Sequence, residues 1–460
     1  MAAGCSRAGP ARPRNVIFIL VDTLRADHLP IYGYRRDTSP NLAALARESV
    51  VFSAARSQAA CTFPSVNSLL TSRSPAAFLG QPGGAMGLPA ATPGLAEMLR
   101  ARGFHTVAIS ASPVVRKSPT RFNPAGGFDR GFELFDEQCL WRKADCVTRR
   151  ARPHLRRDAR PLLLYLHYMD PHGPYAPPPE YRRRFALAHP EKDFIRRGDP
   201  NPIADWLYKG APNPGVTPAD LAYLADLYDD DIAFFDSQLA RLLADLRASG
   251  LAGESIVVFA SDHGEEFLEH GHMKHCHTLF DTSVRTPLLL RIPSLGGGRV
   301  AVPVENLDLV PTLLDYLSLP PASAAEGRSL RREIERARTI GEGGMVGEAG
   351  GEGPGLAGAG PGSAPASFSY QRSAQGTLRA ICDGRFKLIH DLAGGSWSLY
   401  DLRADPGETR DVLAANRPAF FRLREALGAW VARTEGAAPG GGLRKSREAD
   451  KRLRALGYLD

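Results

Sequence analysis

Hydrophobic and polar positions along the chain fall into two repeating patterns. Residues Asn15–Val21 (NVIFILV) form an unbroken, β-branched apolar run, as expected for a strand covered on both faces. Similar short runs recur at 105–109, 162–166, 256–260 and 288–292. Between them lie stretches with helical spacing: Pro40–Arg47, 93–102 and the long Pro218–Ala248. The last opens with Thr217-Pro218, a capping residue followed by proline at the first helical position, and closes near Gly250. Strands alternating with helices predict an α/β fold with a central, mostly parallel sheet sandwiched by helices.

The pattern changes towards the C-terminus. Residues 339–367 are rich in Gly, Ala, Pro and Glu without periodicity, which reads as a flexible insertion. Beyond it, 378–391, 397–402 and the turn Asp405-Pro406-Gly407 predict two or three antiparallel strands, followed by a helix over 418–433. The expected organisation is a disordered tail (1–14), an α/β domain (15–338), the insertion (339–367) and a small antiparallel α+β subdomain (368–460).

Composition adds little to this outline. The chain has 460 residues, a formal net charge of +7, and dense arginine clusters in 149–160 and 182–184. No nucleic-acid-binding motif accompanies the basic excess, so solvated arginine-rich faces are expected and nucleic acid is not an expected partner. Six cysteines include no CxxC pair, and only Cys139 and Cys146 are close enough in sequence to form a local disulfide. Ala2-Ala3-Gly4-Cys5 is similar to the end of a bacterial lipoprotein signal. If the true start lies upstream, Cys5 would carry a lipid anchor at a periplasmic or cell-surface location; otherwise the expectation is cytoplasmic.

Candidate chemistry sits at strand ends, where sites form in open α/β sheets. Asp22 directly follows the first strand, and Asp262-His263 follow 256–260, with Gly264 to turn the chain. Carboxylates and an imidazole converging from separate strands suit a divalent cation.

Residues 15–41 (NVIFILVDTLRADHLPIYGYRRDTSPN) resemble the opening of a sulfatase-family enzyme of the alkaline-phosphatase superfamily. The resemblance continues, in order, through 61–75, 168–177 (YMDPHGPYAP), 261–271 (SDHGEEFLEHG), Arg285-Thr286-Pro287 and the tail 384–411. It implies an ester hydrolase with one divalent metal (calcium, magnesium, manganese or zinc) held by Asp22, Thr62, Asp262 and His263. Aligning Pro64-Ser65 and the following Ser68-Leu69-Leu70-Thr71 puts Thr62 at the nucleophile position, with Cys61 one place early and Val66 where the motif has arginine. Formylglycine is therefore not expected. His172 matches a family histidine at the substrate's anionic group or leaving oxygen, and His275, with Lys274 beside it, matches a cationic contact to the transferring group. Thr23 follows Asp22 where arylsulfatases have a second aspartate, and the family's Gly-Lys-Trp-His motif is missing. The resemblance thus implies cleavage of a small anionic sulfate or phosphate ester. The alternatives are a phosphodiesterase or phosphoryl transferase using Thr62, and a catalytically inactive, sulfatase-like binding protein.

Overall fold

The computed structural model describes residues 13–79, 88, 92–120, 123, 126–141, 143–187, 192, 202, 205–206, 211–341, 365–373 and 376–435. Its main sheet has eight strands in the order β11-β2-β10-β7-β1-β6-β4-β5. In chain order these are β1 (Asn15–Val21), β2 (Val50–Phe52), β4 (His105–Ser110), β5 (Leu134–Asp136), β6 (Leu162–Tyr168), β7 (Ser255–Ser261), β10 (Leu288–Arg291) and β11 (Gly298–Val300). Every pairing is parallel except those of β10, which runs antiparallel to both β2 and β7. The 288–292 run is thus a strand of reversed direction, a difference that hydrophobicity alone does not encode.

β1 lies between β6 and β7, and all seven of its residues are buried. Its side chains alternate between two cores: Ile17, Ile19 and Val21 face one, and Val16, Phe18 and Leu20 the other. Helices cover both faces. The α-helices among the described residues are α1 (Pro40–Arg47), α2 (Thr62–Thr71), α3 (Pro75–Phe78), α4 (Leu95–Arg100), α5 (Ala144–Ala151), α6 (Pro218–Ala248), α7 (Asp281–Val284), α8 (Leu309–Tyr316), α9 (Arg331–Gly341) and α10 (Arg417–Glu435).

α6 carries the N-cap read from sequence, and the structure extends it to a capping box. The Thr217 hydroxyl accepts from Asp220 N while the Asp220 carboxylate accepts from Thr217 N. Less expected is its row of buried aspartates, each of which satisfies a neighbouring segment. Asp236 accepts from the main-chain N–H groups of Asn41 and Leu42 at the start of α1. Asp230 accepts from Arg183 N and Phe185 N, and Asp231 from Ala176 N.

The C-terminal unit is a four-stranded antiparallel sheet in the order β13 (Ser367–Ser373), β14 (Gly376–Cys382), β15 (Phe386–Asp391) and β16 (Ser396–Asp401). The run 378–391 divides into two strands at the Asp383–Phe386 turn, where Gly384 has a φ of 92°. α10 packs on this sheet through Leu423, Leu427 and Trp430. Two short ribbons complete the fold, β3 (Ala55–Arg56) with β12 (Val304–Glu305) and β8 (Glu266–Phe267) with β9 (Met273–Lys274).

The flexible insertion expected over 339–367 lies mostly outside the described residues; α9 continues to Gly341 and β13 begins at Ser367. Cys5 and most of the expected 1–14 tail also lie outside them. Among the described residues no helix is long and apolar enough to cross a membrane.

Candidate active site

The parallel register brings the carboxyl ends of β1, β6 and β7 level, with Val21 opposite both Tyr168 and Ser261. Asp22 and Asp262 therefore emerge side by side, each 0–1% exposed. Asp262 Oδ1 accepts from Thr23 N at 3.2 Å and His263 N at 2.9 Å, while Asp262 Oδ2 and Asp22 Oδ1 have no hydrogen-bond donor. His167, one residue before the end of β6, places Nε2 3.3 Å from Asp22 Oδ2, and the Tyr165 hydroxyl lies 3.1 Å from its Nδ1.

One ligand atom each from Asp22, His167 and Asp262 lie within 4.8 Å of one another. Two buried carboxylate oxygens without donors, beside an imidazole, are what a divalent cation would satisfy, so the donor set fits the expected metal. Burial opposes charge on Asp22, but the hydrogen bond from His167 and the fields of His172 and His263 hold its carboxyl below the usual range. Burial and the adjacent Asp22 push Asp262 up to about 6.

His263 Nδ1 donates to Gly264 O at 2.9 Å, which leaves Nε2 as the lone-pair nitrogen. That atom lies 3.1 Å from Thr62 Oγ1 and 3.5 Å from Asp262 Oδ2. Gly264 is required here by close approach: a Cβ at this position would come within 2.0 Å of Thr282 O.

Thr62 opens α2, with Cys61 as its N-cap residue. Three links fix this turn. Ser65 Oγ donates to Asp262 O at 2.5 Å, Cys61 is disulfide-bonded to Cys276, and Cys276 N donates to Ala60 O at 2.8 Å. From β13, Gln371 Nε2 donates to Cys276 O at 3.1 Å and Ser369 Oγ to Ser57 O at 2.7 Å. The C-terminal sheet thus braces the turn that carries Thr62. Cys61 is a fully buried half-cystine, and the hydroxyl one residue later is the side chain that reaches His263.

The histidines continue outward. The His275 ring lies 4.6 Å from that of His263 and 5.2 Å from that of His172, and His275 Nδ1 is 3.4 Å from Glu265 Oε2. Burial, then His263 and His172, lower the pKa of His275 well below the ordinary histidine value. Lys274 sits on β9 opposite Glu266, with a φ of 69°, and adds positive charge next to His275. The Thr23 hydroxyl donates to Asp22 O and does not join the carboxylates.

Of the residues picked from sequence, Asp22, Thr62, Asp262 and His263 come together, and His172 and His275 join them through their rings. His167 and Glu265 were not picked. His167 carries one local signal, a polar residue directly after the apolar run 162–166; its place beside β1 comes only from the pairing of β6 with β1. The disulfide Cys139–Cys146 forms as sequence proximity suggested, whereas Cys61–Cys276, separated by 215 positions, carried no such signal.

A family model described as Sulfatase matches residues 14–319. A sulfatase of Formosa agariphila is 24% identical over 377 residues, covering 70% of this chain and 73% of that protein. Several other curated relatives are matched over less than half of their length. A structure in complex with its substrate D-glucosamine-2-N,6-O-disulfate superposes with a TM-score of 0.70 at 19% identity, over 95% of this chain and 100% of the other. The phosphonate monoester hydrolase of Agrobacterium radiobacter gives a TM-score of 0.69 at 23% identity, over 92% and 96%.

Proposed function

This chain belongs to the sulfatase family of ester hydrolases, and from that premise we propose that Thr62 is its nucleophile and that phosphorus esters are its preferred substrates. The observation that supports the reading is Thr62 Oγ1, 3.1 Å from His263 Nε2, which itself lies 3.5 Å from Asp262 Oδ2. Asp22, His167 and Asp262 would hold a divalent cation, with His263 Nε2 next to them. When bound, the cation lowers the pKa of a neighbouring hydroxyl and offsets negative charge on the transferring group.

The Thr62 hydroxyl gives up its proton along the hydrogen bond to His263. Thr62 Oγ then forms a bond to phosphorus as the bond to the ester oxygen breaks. His172 and His275, whose rings follow that of His263, line the path of the departing oxygen. Water then attacks phosphorus as the Thr62–phosphorus bond breaks; the water proton passes to the departed oxygen, and Thr62 Oγ takes its own proton back from His263.

The preference for phosphorus follows from the second step. A formylglycine hydrate expels sulfate by collapsing to its aldehyde, whereas a sulfated threonine has no such route. Phosphoryl-threonine can be resolved by water.

The test is kcat/KM for matched aryl sulfate, aryl phosphonate monoester, aryl phosphate and bis-aryl phosphate on one preparation. Phosphorus esters should be turned over faster. Thr62→Ala should lower kcat by about a thousandfold or more with its metal content unchanged. A sulfate preference of tenfold or more, lost in Thr62→Ala, overturns the leaving-route argument; wild-type activity in that variant overturns the nucleophile.

A further inference from the structure

We propose that Trp141 is a stacking platform for a ring in the leaving group, so that the site takes esters of cyclic alcohols, sugar or aryl, in preference to simple alkyl esters. This rests on the ester-hydrolase reading of the Thr62 centre.

Four large hydrophobic residues stand exposed among those described: Leu134, Trp141, Leu187 and Phe421. Trp141 is the one whose ring packs on a site histidine, 5.7 Å from His172 with the planes at 60°. A row of rings thus runs outward from the nucleophile: His263 beside Thr62, His275 at 4.6 Å from it, His172 at a further 5.2 Å, and then Trp141. A leaving group departing from Thr62 past His275 and His172 meets the indole next.

The Trp141 loop is held in place although the residue is 44% exposed. Trp141 N donates to Ala111 O at 3.0 Å, at the end of β4, and the Cys139–Cys146 disulfide closes the loop around the residue. Two positions on, Lys143 Nζ bridges Asp170 and Asp231 at 2.8 Å each, with side-chain exposures of 1% and 0% for the two carboxylates. Asp170 immediately precedes Pro171-His172, so the same clamp fixes the Trp141 loop relative to His172. A rigid aromatic face offers a ring a large contact area with little conformational entropy to lose. Beside it a groove lined by Gln138, Lys143, Asp145, Arg149 and Arg150 gives the far edge of the ring a polar, mainly cationic border.

The experiment compares Trp141→Ala and Trp141→Phe with wild type. The substrates are an aryl, a pyranoside and an ethyl ester of whichever acid the wild type turns over fastest, with competitive Ki replacing KM where turnover is slow. Trp141→Ala should raise KM for the ring-bearing esters about tenfold, the factor that one aromatic stacking contact supplies, with kcat within about twofold. KM for the ethyl ester should not move, and Trp141→Phe should recover most of the loss. A response to aryl but not pyranoside, or the reverse, narrows the ring class and still supports the platform. Equal KM changes for ring and ethyl esters, no KM change, or a loss confined to kcat would overturn it. Thr62→Ala, run alongside, reports on the nucleophile separately, because the Trp141 readout is a ratio between substrates and does not depend on which hydroxyl attacks.

Discussion

Lys387 on β15 is 1% exposed, with Nζ 2.8 Å from Asp281 Oδ1 and 3.0 Å from Glu408 Oε1. Arg56 holds the other side of Asp281, Nη2 to Oδ2 at 2.7 Å. The network joins the C-terminal sheet to the segments leading into Thr62 and out of His275. At an effective dielectric of about 20, each Lys387 contact is worth roughly 5–6 kcal/mol of attraction, against several kcal/mol of desolvation per ion. Lys387→Met removes the attraction and strands Glu408, so a loss of about 3–5 kcal/mol is expected near neutral pH. Burial already pushes Glu408 up to about 7 with the ammonium present. Without it the folded-state value rises further, while the unfolded value stays near 4.5. A carboxyl raised on folding contributes stability at low pH that disappears as pH rises through the folded value. The variant should therefore be closer to wild type at pH 5.5 than at pH 8, and adding Glu408→Gln should recover much of the loss at pH 8. Urea unfolding followed by tryptophan fluorescence, with Trp397 and Trp430 in this unit, reads both effects. A loss under about 0.5 kcal/mol at both pH values, or an equal loss at both, would refute the reasoning.

Two further outcomes follow from other buried groups. His167→Ala should weaken divalent-metal binding by at least about tenfold, because it removes an imidazole from the Asp22–Asp262 cluster; metal content and affinity equal to wild type after dialysis against a metal buffer would remove His167 from the donor set. Burial, with Asp308 nearby, pushes Glu305 up to about 8, so its contribution to stability falls as pH rises from about 4.5 through 8, at no more than ~1.4 kcal/mol per pH unit. Glu305→Gln should flatten that fall and melt closer to wild type at pH 6 than at pH 9; parallel melting curves across that range would show that Glu305 does not titrate there.

What could be read from sequence was local. The β1 run, Pro40–Arg47 and Pro218–Ala248 match their structural bounds because burial on both faces and end-capping are written in adjacent residues. Asp22 and Asp262-His263 were legible for the same reason, each standing at the end of an apolar run. Direction and pairing were not: β10 is as apolar as its neighbours yet runs the other way, and nothing in LLLR encodes that. His167 shows the limit most clearly. Its role depends on β6 lying beside β1 in a register that sets His167 opposite Leu20, two residues before Asp22. Only tertiary structure supplies that register. The same holds for the brace around Thr62. Counting back from Pro64-Ser65 selects Thr62, but the physical reason Cys61 cannot compete as a free thiol is a partner 215 positions away, and Gln371 from the C-terminal sheet holds that partner's carbonyl. The C-terminal unit, which reads from sequence as a separate small subdomain, thus reaches the edge of the site. Its attachment through Lys387 and its contact through Gln371 act on the same two segments. Loosening the first should therefore disturb the second before the main sheet unfolds.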